Sequence, residues 1–218
     1  MLLDLDGTLA DTGPDLHYAL RLTCEDEAID CPPYADVRPH ITGGSPILLA
    51  LAFAITPDHP TYPDRRARFL KHYANNIARH TTMMPGMDEC LHRLDRAQAK
   101  WGIVTNKSAH LTHQLLDAMR LTDRAHCIVA GDTLSESKPH SAPLLHGCAL
   151  MDRDPTHGVY VGDAPTDIDA ARAAGMRAIA VRYGYIPPDH DIEQWGADAI
   201  VDDVPALMDW LVSRRFVE

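Results

Sequence analysis

The sequence predicts an α/β protein in which a parallel-sheet core is interrupted by an all-helical insertion. From Met84-Pro85-Gly86 onward, short apolar runs alternate with helical stretches, the rhythm of βαβ units. Between Gly13 and about Thr81 the strand signal disappears and only helical periodicity is left. The chain also opens on a short apolar run closed by Asp4-Leu5-Asp6-Gly7-Thr8. Alternate residues of an extended strand share a face, so Asp4 and Asp6 converge on one point.

In order, the first strand is short because only three residues precede Asp4. A buried parallel strand usually carries a longer apolar run, so either this strand is truncated or the true start lies upstream. Pro14-Asp15 opens a helix reaching roughly Ala28, with Leu16, Ala19, Leu20 and Thr23 on one stripe. Cys31-Pro32-Pro33 breaks it. Thr42-Gly43-Gly44-Ser45-Pro46 then reads as a turn, with Ser45 as N-cap of a helix that runs through Ala54. That helix is almost wholly apolar and is expected to be buried. After Thr56-Pro57 a polar helix spans about Tyr62 to Arg79. The core pattern follows: helix 87–98, strand Trp101–Asn106, helix 109–119, strand Cys127–Val129, helix 141–150, strand Val159–Asp163, helix 166–174 closed by Gly175, strand Ala178–Val181, strand Ala199–Val201 and helix 204–213. The expected organisation is a Rossmann-like core of residues 1–13 and 82–218 around a helical unit of residues 14–81. Its linkers fall at Asp11 to Pro14 and Thr81 to Gly86.

Composition narrows the function. A chain of 218 residues with 45% hydrophobic and 23% charged residues reads as a soluble globular protein. A formal net charge of −11 argues against nucleic acid or an anionic membrane as partner. No apolar run has the length of a membrane span and no charged-then-apolar leader precedes the first strand, so a cytoplasmic location is expected. Five cysteines without a C-x-x-C pair read as reduced thiols, and the thirteen histidines are scattered, only His110 and His113 standing at i, i+3.

The polar residues fall where an open parallel sheet binds ligands, at the carboxyl ends of its strands. Asp4 and Asp6 end the first strand and Thr105-Asn106 the second, Lys138 lies in the loop after the third, and Asp163 ends the fourth with Asp167 one helical turn on. Carboxylates gathered this way suit Mg²⁺, which is typically shared with a phosphate. The chemistry that uses the set is phosphoryl transfer to a carboxylate. Asp4 is the candidate nucleophile and Asp6 the general acid and then base. Asp4, the Asp6 carbonyl and Asp163 are the candidate metal ligands, with Asp167 behind them. Thr105, Asn106 and Lys138 are placed to hold the phosphate oxygens.

These residues carry a family resemblance. Asp4-Leu-Asp6-Gly-Thr8, Thr105-Asn106, Ser137-Lys138-Pro139 and Gly162-Asp163-Ala-Pro-Thr-Asp167 resemble, in order, the four motifs of the haloacid dehalogenase superfamily of phosphatases. The insertion after the first motif is similar to that family's helical cap of the first type, as in its phosphoglycolate phosphatase branch. Within the branch, Trp101–Lys107, Val181–Ile186 and Trp195–Asp198 look most like bacterial N-acetylmuramic acid 6-phosphate phosphatases. The resemblance implies a HAD-like fold, Mg²⁺ as cofactor and a small soluble phosphorylated metabolite as substrate, with N-acetylmuramic acid 6-phosphate and 2-phosphoglycolate both open. Those relatives often carry Gly-Gly-Ala-Arg where this chain has Gly43-Gly44-Ser45-Pro46, so a basic residue is missing there; Ala164 and Ser141 also depart from the common pattern. The turn Gly43, Gly44 and Ser45 is the expected contact between the helical lid and substrate. A sugar-phosphate phosphomutase and a non-catalytic binding module stay open as alternatives.

Overall fold

The structure is a computed structural model and describes residues 1–216. In chain order it runs β1 (Leu2–Leu3), β2 (Ala10–Asp11), α1 (Gly13–Glu25), α2 (Tyr34–Val37), a 3-10 segment (Arg38–Gly43), α3 (Gly44–Phe53), α4 (Tyr62–Asn75), β3 (Thr82–Met83), α5 (Met87–Arg96), β4 (Gly102–Val104), α6 (Ala109–Ala118), β5 (Ile128–Val129), α7 (Ala142–Leu150), β6 (Val159–Gly162), α8 (Pro165–Ala173), β7 (Arg177–Val181), β8 (Ala199–Val201) and α9 (Val204–Ser213).

Six strands form one parallel sheet in the order β5-β4-β1-β6-β7-β8, so the two-residue β1 is central, with Leu2 facing Gly102 on one side and Tyr160 on the other. The twofold alternation of a strand divides its side chains between two cores. Leu3, Ile103, Val161, Ile179 and Val181 pack with α5, α6 and α9. Leu2, Val104, Tyr160, Ala178 and Ala180 pack with α7 and α8 on the opposite face. Covering both faces lets such a sheet be apolar throughout. The chain leaves β1 for β4 on one side and returns to β6 on the other, and this change of direction opens a crevice at the carboxyl end of β1.

Helices α1 to α4 lie between β2 and β3, two strands that pair antiparallel with Ala10 opposite Met83 and Asp11 opposite Thr82. No sequence period announces this ribbon, because two residues are too few to show alternation and the pairing joins segments far apart in sequence. It ties together the two expected linkers. The Asp15 carboxylate, fully buried, reinforces the tie by accepting from His80 N–H (2.9 Å), Thr81 N–H (2.9 Å) and the Thr81 hydroxyl (2.8 Å).

Three expectations are corrected. Helix α3 is not buried as a whole: Leu48 and Leu49 are inside, while Ile47 is 43% and Leu51 41% exposed. A helix that is apolar all round has no stripe to orient it, and a small helical layer can cover only one side of it. The helix also starts at Gly44 with Gly43 as N-cap, so Ser45 lies inside the first turn and its hydroxyl accepts from Arg66 Nε at 3.2 Å. Helix α4 stops at Asn75 and not near Arg79, because the Asn76 side-chain amide donates to the His72 carbonyl (2.9 Å) and Ala78 turns to φ +58°.

Candidate active site

Asp4 follows β1 directly, its N–H donating to Val161 O at 2.9 Å, which fixes its backbone to the centre of the sheet. The chain then turns through Gly7 at φ +86°. A Cβ there would fall inside the Asp163 carboxylate, and a Cβ on Gly184 would strike the same side chain, so these two glycines let Asp163 come close beneath the loop. Thr8 Oγ1 donates to Asp163 Oδ1 (3.2 Å) and Tyr185 N–H to Oδ2 (2.7 Å).

Lys138 joins the strand ends. Its ammonium donates to Asp4 Oδ1 (2.7 Å), Asp167 Oδ1 (2.7 Å) and Tyr160 OH (2.8 Å), while Asn106 grips its backbone through Nδ2 to Lys138 O and Oδ1 from Lys138 N, each 3.0 Å. Tyr160 OH in turn donates to Val104 O at 2.8 Å. Burial alone would strip the proton from Lys138, but the Asp167 and Asp4 carboxylates hold its pKa above the ordinary lysine value, so it stays charged. Asp6 is set apart from this group. Its Oδ1 accepts from Thr12 Oγ1 (2.5 Å) and lies 3.0 Å from Lys107 Nζ, an ammonium buried over the Tyr73 ring. Burial opposes the charge on Lys107, and Asp6 restores it.

Asp4, Asp163 and Asp167 each bring a carboxylate oxygen within 4.8 Å of the others, all buried. Burial pushes the Asp4 carboxyl up to about 6, against the pull of Lys138 and with added repulsion from Asp167 and Asp6. Burial, together with the charges of Asp4 and Asp167, drives Asp163 well above the usual carboxylate range. Three buried carboxylates sharing one ammonium are short of positive charge, and their hard oxygen donors fit a divalent cation of the Mg²⁺ kind.

The cluster opens on a cleft of about 530 Å³ between the sheet ends and helices α1, α3 and α4. Asp4, Asp6, Thr105, Asn106, Lys138 and Asp167 line its floor, and Gly43, Gly44 and Ser45 its opposite wall; Asp163 lies beneath, 1% exposed. All ten residues singled out from the sequence are thus gathered at or directly under one cleft. Lys107, Tyr73, Tyr160, Tyr185 and Arg66 were not singled out. Lys107 and Tyr185 sit in stretches that carry the family resemblance, but nothing local to them reveals what they touch.

A doubly wound parallel sheet with an acidic, lysine-braced cleft at its carboxyl ends defines an enzyme of the α/β class. The family model for haloacid dehalogenase-like hydrolases matches residues 1–181, and the chain belongs to that family. It is 38% identical over 210 residues to a phosphoglycolate phosphatase of Xanthomonas campestris, covering 95% of this chain and 93% of the relative. It is 34% identical over 202 residues to an N-acetylmuramic acid 6-phosphate phosphatase of Pseudomonas putida, covering 93% and 91%. Among solved structures, that of a predicted phosphoglycolate phosphatase from Haemophilus somnus superposes with a TM-score of 0.84 at 27% identity, covering 96% of each chain.

Proposed function

We propose that the chain is a Mg²⁺-dependent phosphomonoesterase acting on a small phosphorylated metabolite, of the kind for which its relatives are named, through a phosphoryl group carried on Asp4. The observation that supports this best is the single ammonium of Lys138 bonded at 2.7 Å to both Asp4 and Asp167, with Asp163 in the same cluster. Asp4, the Asp6 carbonyl and Asp163 would hold the metal, with Asp167 supporting them. When bound, Mg²⁺ offsets the repulsion between a phosphate dianion and the carboxylates.

In the proposed reaction a carboxylate oxygen of Asp4 attacks phosphorus as the ester P–O bond breaks, giving an aspartyl phosphate and an alcohol. Asp6, held in place by Thr12 and Lys107, passes a proton to the departing alkoxide and then takes one from the water that attacks phosphorus and frees Asp4. Lys138 and Thr105 steady the equatorial oxygens, and Asn106 does so through its grip on Lys138. We assign residues 1–13 and 82–218 to the catalytic core and residues 14–81 to a cap that shields the phosphoenzyme from stray water. Phosphate release from a panel of phosphorylated metabolites tests the proposal: Asp4→Asn is expected to abolish it, and turnover that survives that change would overturn the mechanism.

A further inference from the structure

Three cations line the cleft, and two are already neutralised. Lys138 is bonded to Asp4 and Asp167, and Lys107 to Asp6. The third, Arg66 of α4, has no carboxylate partner among the described residues, although its neighbours Arg65 and Arg68 both pair with Glu27. Arg66 Nε donates instead to Ser45 Oγ (3.2 Å), which points it at the turn Gly43 to Ser45 on the wall facing the catalytic floor. Asp132, which also lines the cleft, does not answer this charge: its carboxylate caps α6 by accepting from Ala109 N–H at 2.6 Å.

One turn pair further along α4, on the same helix face, Tyr73 also lines the cleft. Its side chain is fully buried, with the Lys107 ammonium 4.6 Å from its ring centroid. The unpaired Arg66 guanidinium, in a protein of net charge −11, is a local positive spot suited to an anion.

We propose that this face of α4, with Arg66 and Ser45 at one end and Tyr73 at the other, reads the part of the substrate remote from phosphorus, and that Arg66 binds a second anionic group there, a carboxylate. The inference rests on the phosphatase reading and deepens it. The basic residue missing from the Gly43–Pro46 turn is replaced in space by one from the neighbouring helix. The two substrates for which the relatives are named both carry a carboxylate besides the phosphate, and a cleft of about 530 Å³ has room for the larger of them.

Two matched pairs test it: 2-phosphoglycolate against 2-hydroxyethyl phosphate, and N-acetylmuramic acid 6-phosphate against N-acetylglucosamine 6-phosphate. The members of each pair differ in the carboxylate-bearing group. The expected result is that the unaltered enzyme prefers the carboxylate member of at least one pair in kcat/KM. Arg66→Gln should cut that preference about ten- to a hundred-fold, mostly through KM, and Arg66→Lys should restore part of it. Arg66 is exposed, so these variants are expected to fold. Hydrolysis without preference in either pair, or a preference that Arg66→Gln leaves unchanged, would overturn the inference alone. Hydrolysis of 4-nitrophenyl phosphate but of none of the four esters would also overturn the inference alone, and hydrolysis of none of the five would overturn the phosphatase reading and the inference with it.

Discussion

Lys138 shows how a buried charge is kept useful. Its ammonium is nearly out of contact with water, yet it is bonded to two carboxylates and a tyrosine, so its positive charge persists where a phosphate dianion would arrive. Asp6 is held differently, by Thr12 and Lys107, and that separation from the Asp4 cluster is what allows it a separate task. If Asp6 protonates the leaving group, Asp6→Asn should lower kcat/KM, which reports the steps through formation of the aspartyl phosphate, about 10²- to 10⁴-fold on an alkyl phosphate. The loss in kcat/KM should be much smaller on 4-nitrophenyl phosphate, whose phenolate departs without help, while kcat falls on both esters because the aspartyl phosphate still needs Asp6 as base for its hydrolysis. Equal losses in kcat/KM on the two would assign Asp6 to binding. At this scale the sequence showed the groups with chemistry and not their supports. Two aspartates one residue apart at a strand end are visible in any extended reading. Tyr160 under Lys138, Lys107 beside Asp6 and Tyr185 against Asp163 are contacts between distant segments, and no local pattern encodes them.

Among the elements, the core strands and helices were legible because each is short, periodic and bounded by Gly, Pro or a cap. The observed ends differ from the expected ones by a few residues at most. The helical insertion was legible as helices, but not in how they lie. Helix α3 lacks a polar face to orient it, and the end of α4 depends on a side-chain bond from Asn76. The β2–β3 ribbon lies beyond any sequence period, although it is the neck through which the insertion joins the sheet. Asp15 is the polar fastener of that neck. Replacing it by Asn removes a buried carboxylate that accepts from two N–H groups and a hydroxyl, and should cost about 1.5–3 kcal/mol in urea unfolding. An unchanged midpoint would mean that the ribbon and the apolar contacts of α1 hold the neck by themselves.

For the whole molecule, the carboxylate cluster couples metal, proton and fold. A metal that binds only the folded chain raises stability, by about 2.7 kcal/mol at a hundred times its Kd, so Mg²⁺ should raise the Tm and EDTA should reverse the gain. Protons compete for the same oxygens. The Asp4 carboxyl, pushed up to about 6 chiefly by burial, binds its proton more tightly folded than unfolded. The metal-free protein therefore gains stability from Asp4 as the pH falls through about 6 toward the ordinary carboxylate value, while the gain from Mg²⁺ shrinks over the same window. Thermal scans with and without Mg²⁺ at pH 5 and pH 8 check this, and a metal gain as large at pH 5 as at pH 8 would contradict it. The roles proposed for Asp6, Lys138 and the metal ligands all depend on Asp4 accepting the phosphoryl group. The direct measurement is mass spectrometry of enzyme quenched in acid during turnover of a phosphomonoester. A phosphoryl increment is predicted on the peptide that carries Asp4, and none in Asp4→Asn. Steady phosphate release with no such increment, or with the increment on another residue, would contradict it.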